Sequence, residues 1–124
     1  MNIKEMLLSI FPKENGDILG KEIVKEYHNN VVHIKLGNSF ATDDYDNITI
    51  NVVNKKTLEK DNLYVYFKDI FSQTDRIDNR IDYNGNFHIL NNNGNYEWYV
   101  AVPSQKAIER LAQTCYKFID MYSY

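Results

Sequence analysis

Three pairs of short apolar segments, each pair joined by a turn-forming stretch, constrain the fold of this chain more than any other feature. The pairs are residues 21–28 with 31–37, residues 48–53 with 63–67, and residues 87–90 with 96–102. Apolar and polar side chains alternate along most of these segments, as in strands that bury one face, and Asn-rich or Lys-rich turns lie between them. The sequence therefore predicts three antiparallel hairpins.

The first two hairpins have predictable faces. Asn29 and Asn30 are predicted to form a two-residue turn, because Asn tolerates left-handed backbone angles. This register places Glu26 opposite His33, and its buried face carries Ile23, Tyr27, Val32, Ile34 and Leu36. In the second hairpin the alternation directs Leu63, Val65 and Phe67 to the core, so Tyr64 and Tyr66 point outward.

Helices are predicted at both ends of the chain. Apolar residues recur at helical spacing from Ile3 to Phe11, and this first helix stops at Pro12. Pro103 ends the last strand, and Ser104 is placed to cap a long final helix. One stripe of that helix carries Ala107, Ile108, Leu111, Ala112, Cys115, Phe118, Ile119 and Tyr122. A thiol on such a stripe normally behaves as a small hydrophobe.

These elements predict the α+β class. Residues 1–124 are expected to form a single domain, a mainly antiparallel sheet of about five or six strands built from hairpins. The N-terminal helix and the long C-terminal helix pack on that sheet.

The composition of the chain excludes several classes of function. The net charge is −3, so the molecule as a whole does not attract phosphate backbones, and direct nucleic-acid binding is not expected. The chain has one cysteine, no apolar stretch of membrane-spanning length and no convincing secretory signal, which predicts a cytoplasmic protein. The abundance of Asn, Lys, Ile and Tyr is typical of an AT-rich genome, and indicates a low-GC bacterium or its phage.

The segment SQTDRIDNRIDYNG, residues 72–85, contains a near-duplicate of the sequence Asp-Arg-Ile-Asp. Apolar residues from Ile70 to Ile81 recur at helical intervals, so we favour a short helix within 69–82 whose charges face water. Asp75, Asp78 and Asp82 are then candidates for binding a partner rather than a metal, since the interleaved arginines would repel a cation. A hairpin around Asn84 and Gly85 is the alternative, with Phe87 opposite Asp82.

The segment TDDYDN, residues 42–47, is the densest group of carboxylates. Asp43, Asp44 and Asp46 lie in a predicted loop, where they are either solvated or bind a basic partner. No phosphate-binding glycine loop, zinc spacing or hydrolase serine motif is present, so no cofactor, metal or catalytic residue is predicted.

Three functions remain open. The favoured one is a small acidic protein-binding module, an inhibitor, anti-defence or immunity-type protein that binds a larger partner without catalysis. Its candidate contact residues are Asp43, Asp44, Asp46, Tyr64, Tyr66, Asp75, Asp78 and Asp82, and its partner is a basic nucleic-acid-binding protein or nuclease. The alternatives are a metal-dependent hydrolase or nuclease that uses Asp43, Asp44, Asp46 and His88, and an oligomeric viral structural or assembly protein.

Overall fold

The computed structural model describes residues 3–11, 13–14, 18–20, 22–39, 44–71, 76–82, 84–91, 97–100 and 102–124. The side chains of 13–14, 18–19, 76–78, 90–91 and 97–100 are not among the described groups. The elements in chain order are α1 (Ile3–Ile10), β1 (Lys13–Glu14), β2 (Ile18–Leu19), β3 (Glu22–Glu26), β4 (Asn30–Gly37), β5 (Asn47–Asn54), β6 (Lys60–Tyr66), α2 (Phe67–Phe71), β7 (Arg76–Ile81), β8 (Phe87–Asn91), β9 (Glu97–Val100) and α3 (Gln105–Met121).

The described strands are all antiparallel and divide among three sheets. The largest has the order β3-β4-β5-β6, a second has the order β7-β8-β9, and β1 pairs with β2. The α+β class, the three predicted hairpins and the two terminal helices packed on the four-stranded sheet are confirmed. The strands after α2 form a sheet of their own instead of extending the first one.

One core joins the helices and the sheets. The inward-facing residues of the central strands are almost completely buried, including Val32, Ile34, Ile48 and Ile50 at 0% exposure. The stripe of α3 is also confirmed, with Ala107, Ile108, Leu111, Cys115 and Ile119 buried. The α3 helix begins as predicted, because the Ser104 side chain accepts a hydrogen bond from the Ala107 amide at 3.2 Å. No helix in the described part of the chain is long and apolar enough to cross a membrane.

The register of the β3–β4 hairpin differs from the prediction by two residues. Glu26 pairs with Val31 and not with His33, and the turn consists of His28 and Asn29. Asn30 is drawn into β4 because its buried side chain donates a hydrogen bond to the carbonyl of Tyr122 at the end of α3. A shift of two residues preserves the alternation of faces, so the predicted buried face is still correct.

The predicted helix within 69–82 is wrong over most of its described residues. Its first residues belong to α2, which ends at Phe71, but Arg76–Ile81 is strand β7 and pairs with β8. The following turn fits a three-residue hairpin, because Gly85 has a φ of 85° and its amide donates to the Asp82 carbonyl at 2.9 Å. Glycine adopts this angle without a steric penalty. Asp82 therefore lies opposite Asn86, one residue from the pairing with Phe87 that the hairpin alternative gave.

Candidate protein-binding surface

The two faces of the four-stranded sheet follow from the pairing of its strands. One face, here the inner face, packs into the core, and the other, the outer face, carries three rows of side chains that cross all four strands. The tyrosine row is Glu22, Lys35, Thr49 and Tyr64; the amide row is Val24, His33, Asn51 and Asn62; the valine row is Glu26, Val31, Val53 and Lys60. Every residue of these rows is exposed or only partly buried.

The tyrosine row supplies the largest exposed aromatic group of the outer face. Tyr64 is 57% exposed and lies opposite Thr49, and Tyr66 lies one pleat further along β6, opposite Asn47. Tyr66 is partly buried, and the Lys68 ammonium lies 5.7 Å from the centre of its ring. The predicted outward orientation of both tyrosines is confirmed. Tyrosine offers a wide apolar ring and a hydroxyl, which is why it is enriched where proteins meet.

The valine row and the amide row place three valines next to one another. Val31 and Val53 are paired across β4 and β5, and Val24 is 58% exposed on the neighbouring edge strand. Charged groups border this apolar patch, since Glu26 and Lys60 occupy the two ends of the valine row. An apolar centre with a polar border is the usual anatomy of a protein interface.

An ion pair and a hydrogen bond hold the border residues of β3. The Glu26 carboxylate lies 2.8 Å from the Lys55 ammonium, and the hydrogen bond and the charge of that lysine lower the pKa of Glu26. The Glu22 carboxylate lies 2.7 Å from Nε2 of His33. The partner predicted for His33 was Glu26, and this is wrong because the two-residue register shift moves Glu26 to Val31.

Asp46, one of the candidate contact residues, forms several hydrogen bonds within the fold. It is only 5% exposed, and its Oδ1 accepts hydrogen bonds from the Ser39 amide at 3.1 Å and the Asn47 side chain at 2.7 Å. Its backbone amide donates to Gly37 and its carbonyl accepts from Phe67, each at 2.9 Å. This residue therefore joins the end of β4 to the start of α2.

Tyr45 and Ile81, the sequence neighbours of Asp44 and Asp82, are joined by a bridge that the sequence did not predict. The backbones of Tyr45 and Ile81 exchange two hydrogen bonds of 2.7 Å, in an antiparallel bridge between the acidic loop and β7. Antiparallel pairing puts Asp44 at the position opposite Asp82. Tyr45 and Ile81 are both buried, so the only signal in the sequence was an apolar residue within each charged segment.

The Asp82 carboxylate forms hydrogen bonds with residues of the β7–β8 turn and of β8. Oδ1 accepts from the amides of Asn84 at 2.9 Å and Asn86 at 3.0 Å, and Oδ2 lies 3.0 Å from Nε2 of His88. Burial acts to raise the pKa of Asp82, but the hydrogen bonds from His88 and from the two amides outweigh it and lower the pKa. Asp43, Asp75 and the side chain of Asp78 lie outside the described residues.

The side chains considered for catalysis are also buried or hydrogen-bonded within the fold. Burial raises the pKa of the Cys115 thiol to about 12, so the thiol is not a ready nucleophile. His88, named in the hydrolase alternative, is paired with Asp82. Within the described part of the chain, no group of three His, Cys, Asp or Glu side chains is placed to hold a metal ion.

Comparison of the chain with protein-family models, with curated proteins and with solved structures gave no match. A function is therefore assigned from the surfaces of the chain itself. Among these, the outer face combines the greatest aromatic exposure of the sheet with an apolar patch and a charged border.

Proposed function

We propose that this chain is a small acidic protein-binding module that acts on a larger partner as an inhibitor, anti-defence or immunity-type protein, without catalysis of its own. The observation that carries the proposal is the outer face, where Tyr64 and the three valines remain accessible on a firmly packed sheet. A rigid platform of this kind binds with little loss of conformational freedom, because its strands are already ordered.

Tyr64 is the expected anchor of the contact. An aromatic side chain has about 150–250 Å² of surface, and because Tyr64 is 57% exposed a partner can bury roughly 85–140 Å² of it, which corresponds to roughly 2–3.5 kcal/mol of apolar transfer before the costs of association. Thr49 next to it, and Asn51 and Asn62 in the amide row, offer hydrogen bonds that orient the partner. The Val31–Val53 pair extends the apolar contact toward the other end of the face.

The charge of the chain favours a partner with a basic surface. The net charge of −3 gives a long-range attraction that accelerates association with a positively charged protein. A nucleic-acid-binding protein or nuclease has such a surface. Asp44, and among the residues outside the described chain Asp43 and Asp75, are the acidic side chains that we propose to face it, since the carboxylates of Asp46 and Asp82 serve the fold.

Affinity capture with surface variants tests the proposal. Tagged wild-type chain, Tyr64→Arg and Gln113→Arg are incubated with lysates of low-GC bacteria and their phages, and bound proteins are quantified by mass spectrometry. Gln113 is an exposed residue of α3, so its replacement adds the same charge on a helix surface away from the outer face. The proposal expects one stoichiometric partner whose recovery falls at least about tenfold with Tyr64→Arg, as for an interface anchor, and is unchanged with Gln113→Arg.

The captured partner is then purified and mixed with the chain at known concentrations. A defined complex with the same dependence on Tyr64 supports the proposal. Equal recovery with all three forms, or equal loss with both variants, would contradict a role for the outer face in binding.

A further inference from the structure

We infer that the open edge of β6, the side of this strand that faces away from β5, pairs with an extended segment of the larger partner. The inference rests on the proposed function, because it names the element of the partner that is bound. The backbone of β6 carries it, since β6 is an edge strand and the described part of the chain places no strand on its open side.

Hydrogen bonds at the two ends of β6 determine which backbone groups point to the open edge. Glu59 and Phe67, which flank the strand, each form a backbone hydrogen bond of 2.9 Å, one with the last residue of β5 and one with the residue before its first. In an antiparallel pair, alternate residues direct both backbone groups to the neighbouring strand. The odd-numbered residues therefore face β5, and the backbone groups of Asn62, Tyr64 and Tyr66 face the open edge.

The first half of the open edge is closed by the chain itself. The Asn62 amide donates to Oδ1 of Asp61 at 2.9 Å, which agrees with an amide that points away from β5. The other oxygen of Asp61 accepts a hydrogen bond from the Tyr122 hydroxyl, so the end of α3 lies beside this half. In the second half, residues 63–66, the described residues supply no backbone acceptor for the outward amides. These amides are available to the backbone of another chain.

The two edges of the sheet differ in their protection against pairing. β3, the opposite edge, has charged side chains at three of its five positions, Glu22, Lys25 and Glu26. Charged side chains are a common means of preventing another strand from pairing with an edge. Residues 63–66 of β6 have the sequence Leu-Tyr-Val-Tyr, which contains no charge and consists mostly of residues enriched in strands. β6 is therefore the edge that is suited to accept a strand.

The side chains next to the open edge define the segment that fits it. On the inner side, Leu63 is half-buried and Val65 is buried, so apolar residues at alternate positions of an added strand would extend the core. On the outer side, Tyr64 is accessible to the positions between them. β5 has this alternation on the other side of β6, with Ile48 and Ile50 inward. The partner thus supplies an extended segment of alternating apolar and polar residues, held by backbone hydrogen bonds.

A second copy of β6 fits the open edge less well than such a segment. Antiparallel pairing of two copies about Tyr64 would bring Lys60 of each copy towards Lys68 of the other, and like charges at opposite positions are destabilising. Lys68 also belongs to α2, so the strand of the second copy ends before the pairing is complete. The charges and the length of β6 therefore favour a strand of another protein.

Amide hydrogen exchange, followed residue by residue by NMR on the isotope-labelled chain, tests the inference without a substitution. The amides of Tyr64 and Tyr66 should exchange at least about 100-fold more slowly in the complex with the captured partner than in the free chain, because each gains a strand hydrogen bond. The Val24 amide points to the opposite edge of the sheet and is the matched control. Its exchange rate should not change.

Proline variants test the same edge by substitution. Proline removes one N–H group and is tolerated in an edge strand where that group points outward. Tyr64→Pro should weaken the complex at least about tenfold more than Tyr64→Ala, which removes the same ring but keeps the amide. Val24→Pro and Val24→Ala, on β3, should bind the partner equally well. Equal binding by the two Tyr64 variants would contradict the inference.

The outcomes separate this inference from the proposed function. If capture depends on the Tyr64 ring but the Tyr64 and Tyr66 amides exchange as fast in the complex as in the free chain, the outer face binds the partner and the inference is overturned. If these amides become slow although Tyr64→Arg is captured as well as wild type, the edge is supported and the role of the outer face is contradicted. Slow amides in a concentrated sample of the chain alone would assign the edge to a second copy and overturn the inference.

Discussion

The inner and outer faces of the four-stranded sheet are built from alternate residues of the same strands, yet they meet different requirements. Along β5, Ile48, Ile50 and Val52 are at most 2% exposed, while the alternating residues Thr49, Asn51 and Val53 are partly exposed. The inner residues are fixed by packing, because any change of volume there leaves a cavity or a clash. The outer residues are free of that requirement, and the proposed binding function would account for the apolar and aromatic groups among them.

The largest expected difference between the faces is in stability. Val52→Ala, on the inner face, should lower the free energy of unfolding by about 2 kcal/mol, since it removes buried methyl groups and leaves a cavity. Val53→Ala, the adjacent residue on the outer face, should cost less than about 1 kcal/mol. Urea unfolding of both variants measures this, and equal losses would show that the outer face is also part of the packed core.

The carboxylates of Asp44 and Asp46 can likewise be divided into one that stabilises the fold and one that we propose for binding. Asp46→Asn should destabilise the fold by about 1–2 kcal/mol, because an amide replaces a buried carboxylate whose Oδ1 accepts several hydrogen bonds. Asp44→Asn, at a partly buried position two residues earlier, is the matched control and should change stability by less than about 0.5 kcal/mol. Thermal and urea unfolding compare them. A larger loss for Asp44→Asn would reverse the assignment of Asp46 to the fold and Asp44 to binding.

A smaller effect is expected in the pH dependence of stability. The pKa of Asp82 is lower in the folded chain than in the unfolded one, so its ionised form stabilises the fold above about pH 4, and this contribution is lost as the pH falls through the folded pKa. Solvent screening keeps it to no more than about 1 kcal/mol. Between pH 6 and 3, wild type should therefore lose more stability than Asp82→Asn. Parallel curves would mean that the carboxylate does not support the turn.

Replacing Tyr64 is expected to have the smallest effect on stability and the largest effect on binding. Tyr64→Ala should change the free energy of unfolding by less than about 0.5 kcal/mol, because the side chain is mostly exposed. The same variant should weaken the complex with the captured partner by about 2 kcal/mol, or roughly thirtyfold. Isothermal titration and urea unfolding of one preparation give both values. A loss of stability as large as the loss of binding would assign Tyr64 to the fold.

Local sequence patterns predicted the faces of the sheet but not every pairing of residues across its strands. The alternation in β3 and β4 assigned the buried residues correctly even though the register was wrong by two, because faces repeat every second residue. What moved the register was the buried contact between Asn30 and the end of α3, which are distant in sequence. A pattern read over a few residues does not contain a contact of that kind.

In β7, by contrast, the local pattern predicted the wrong secondary structure. Its apolar residues have helical spacing, but Gly85 and the Asp82 side chain form a tight turn that pairs β7 with β8, and the backbone of Ile81 pairs with Tyr45. Tertiary pairing of this kind overrides periodicity in a short segment. For the candidate surface, the outward tyrosines followed from alternation, whereas the buried position of Asp46 depended on donors from Ser39 and Asn47 that only the folded loop brings together.

Side-chain footprinting with hydroxyl radicals tests most directly whether the outer face is the binding surface. Oxidation is measured at Tyr64 and at Tyr116, a tyrosine 37% exposed on α3, in the free chain and in its complex with the captured partner. The account predicts that the complex protects Tyr64 and leaves Tyr116 as reactive as in the free chain. Protection of Tyr116 with Tyr64 unchanged would place the binding surface on the helical side of the molecule and contradict the account.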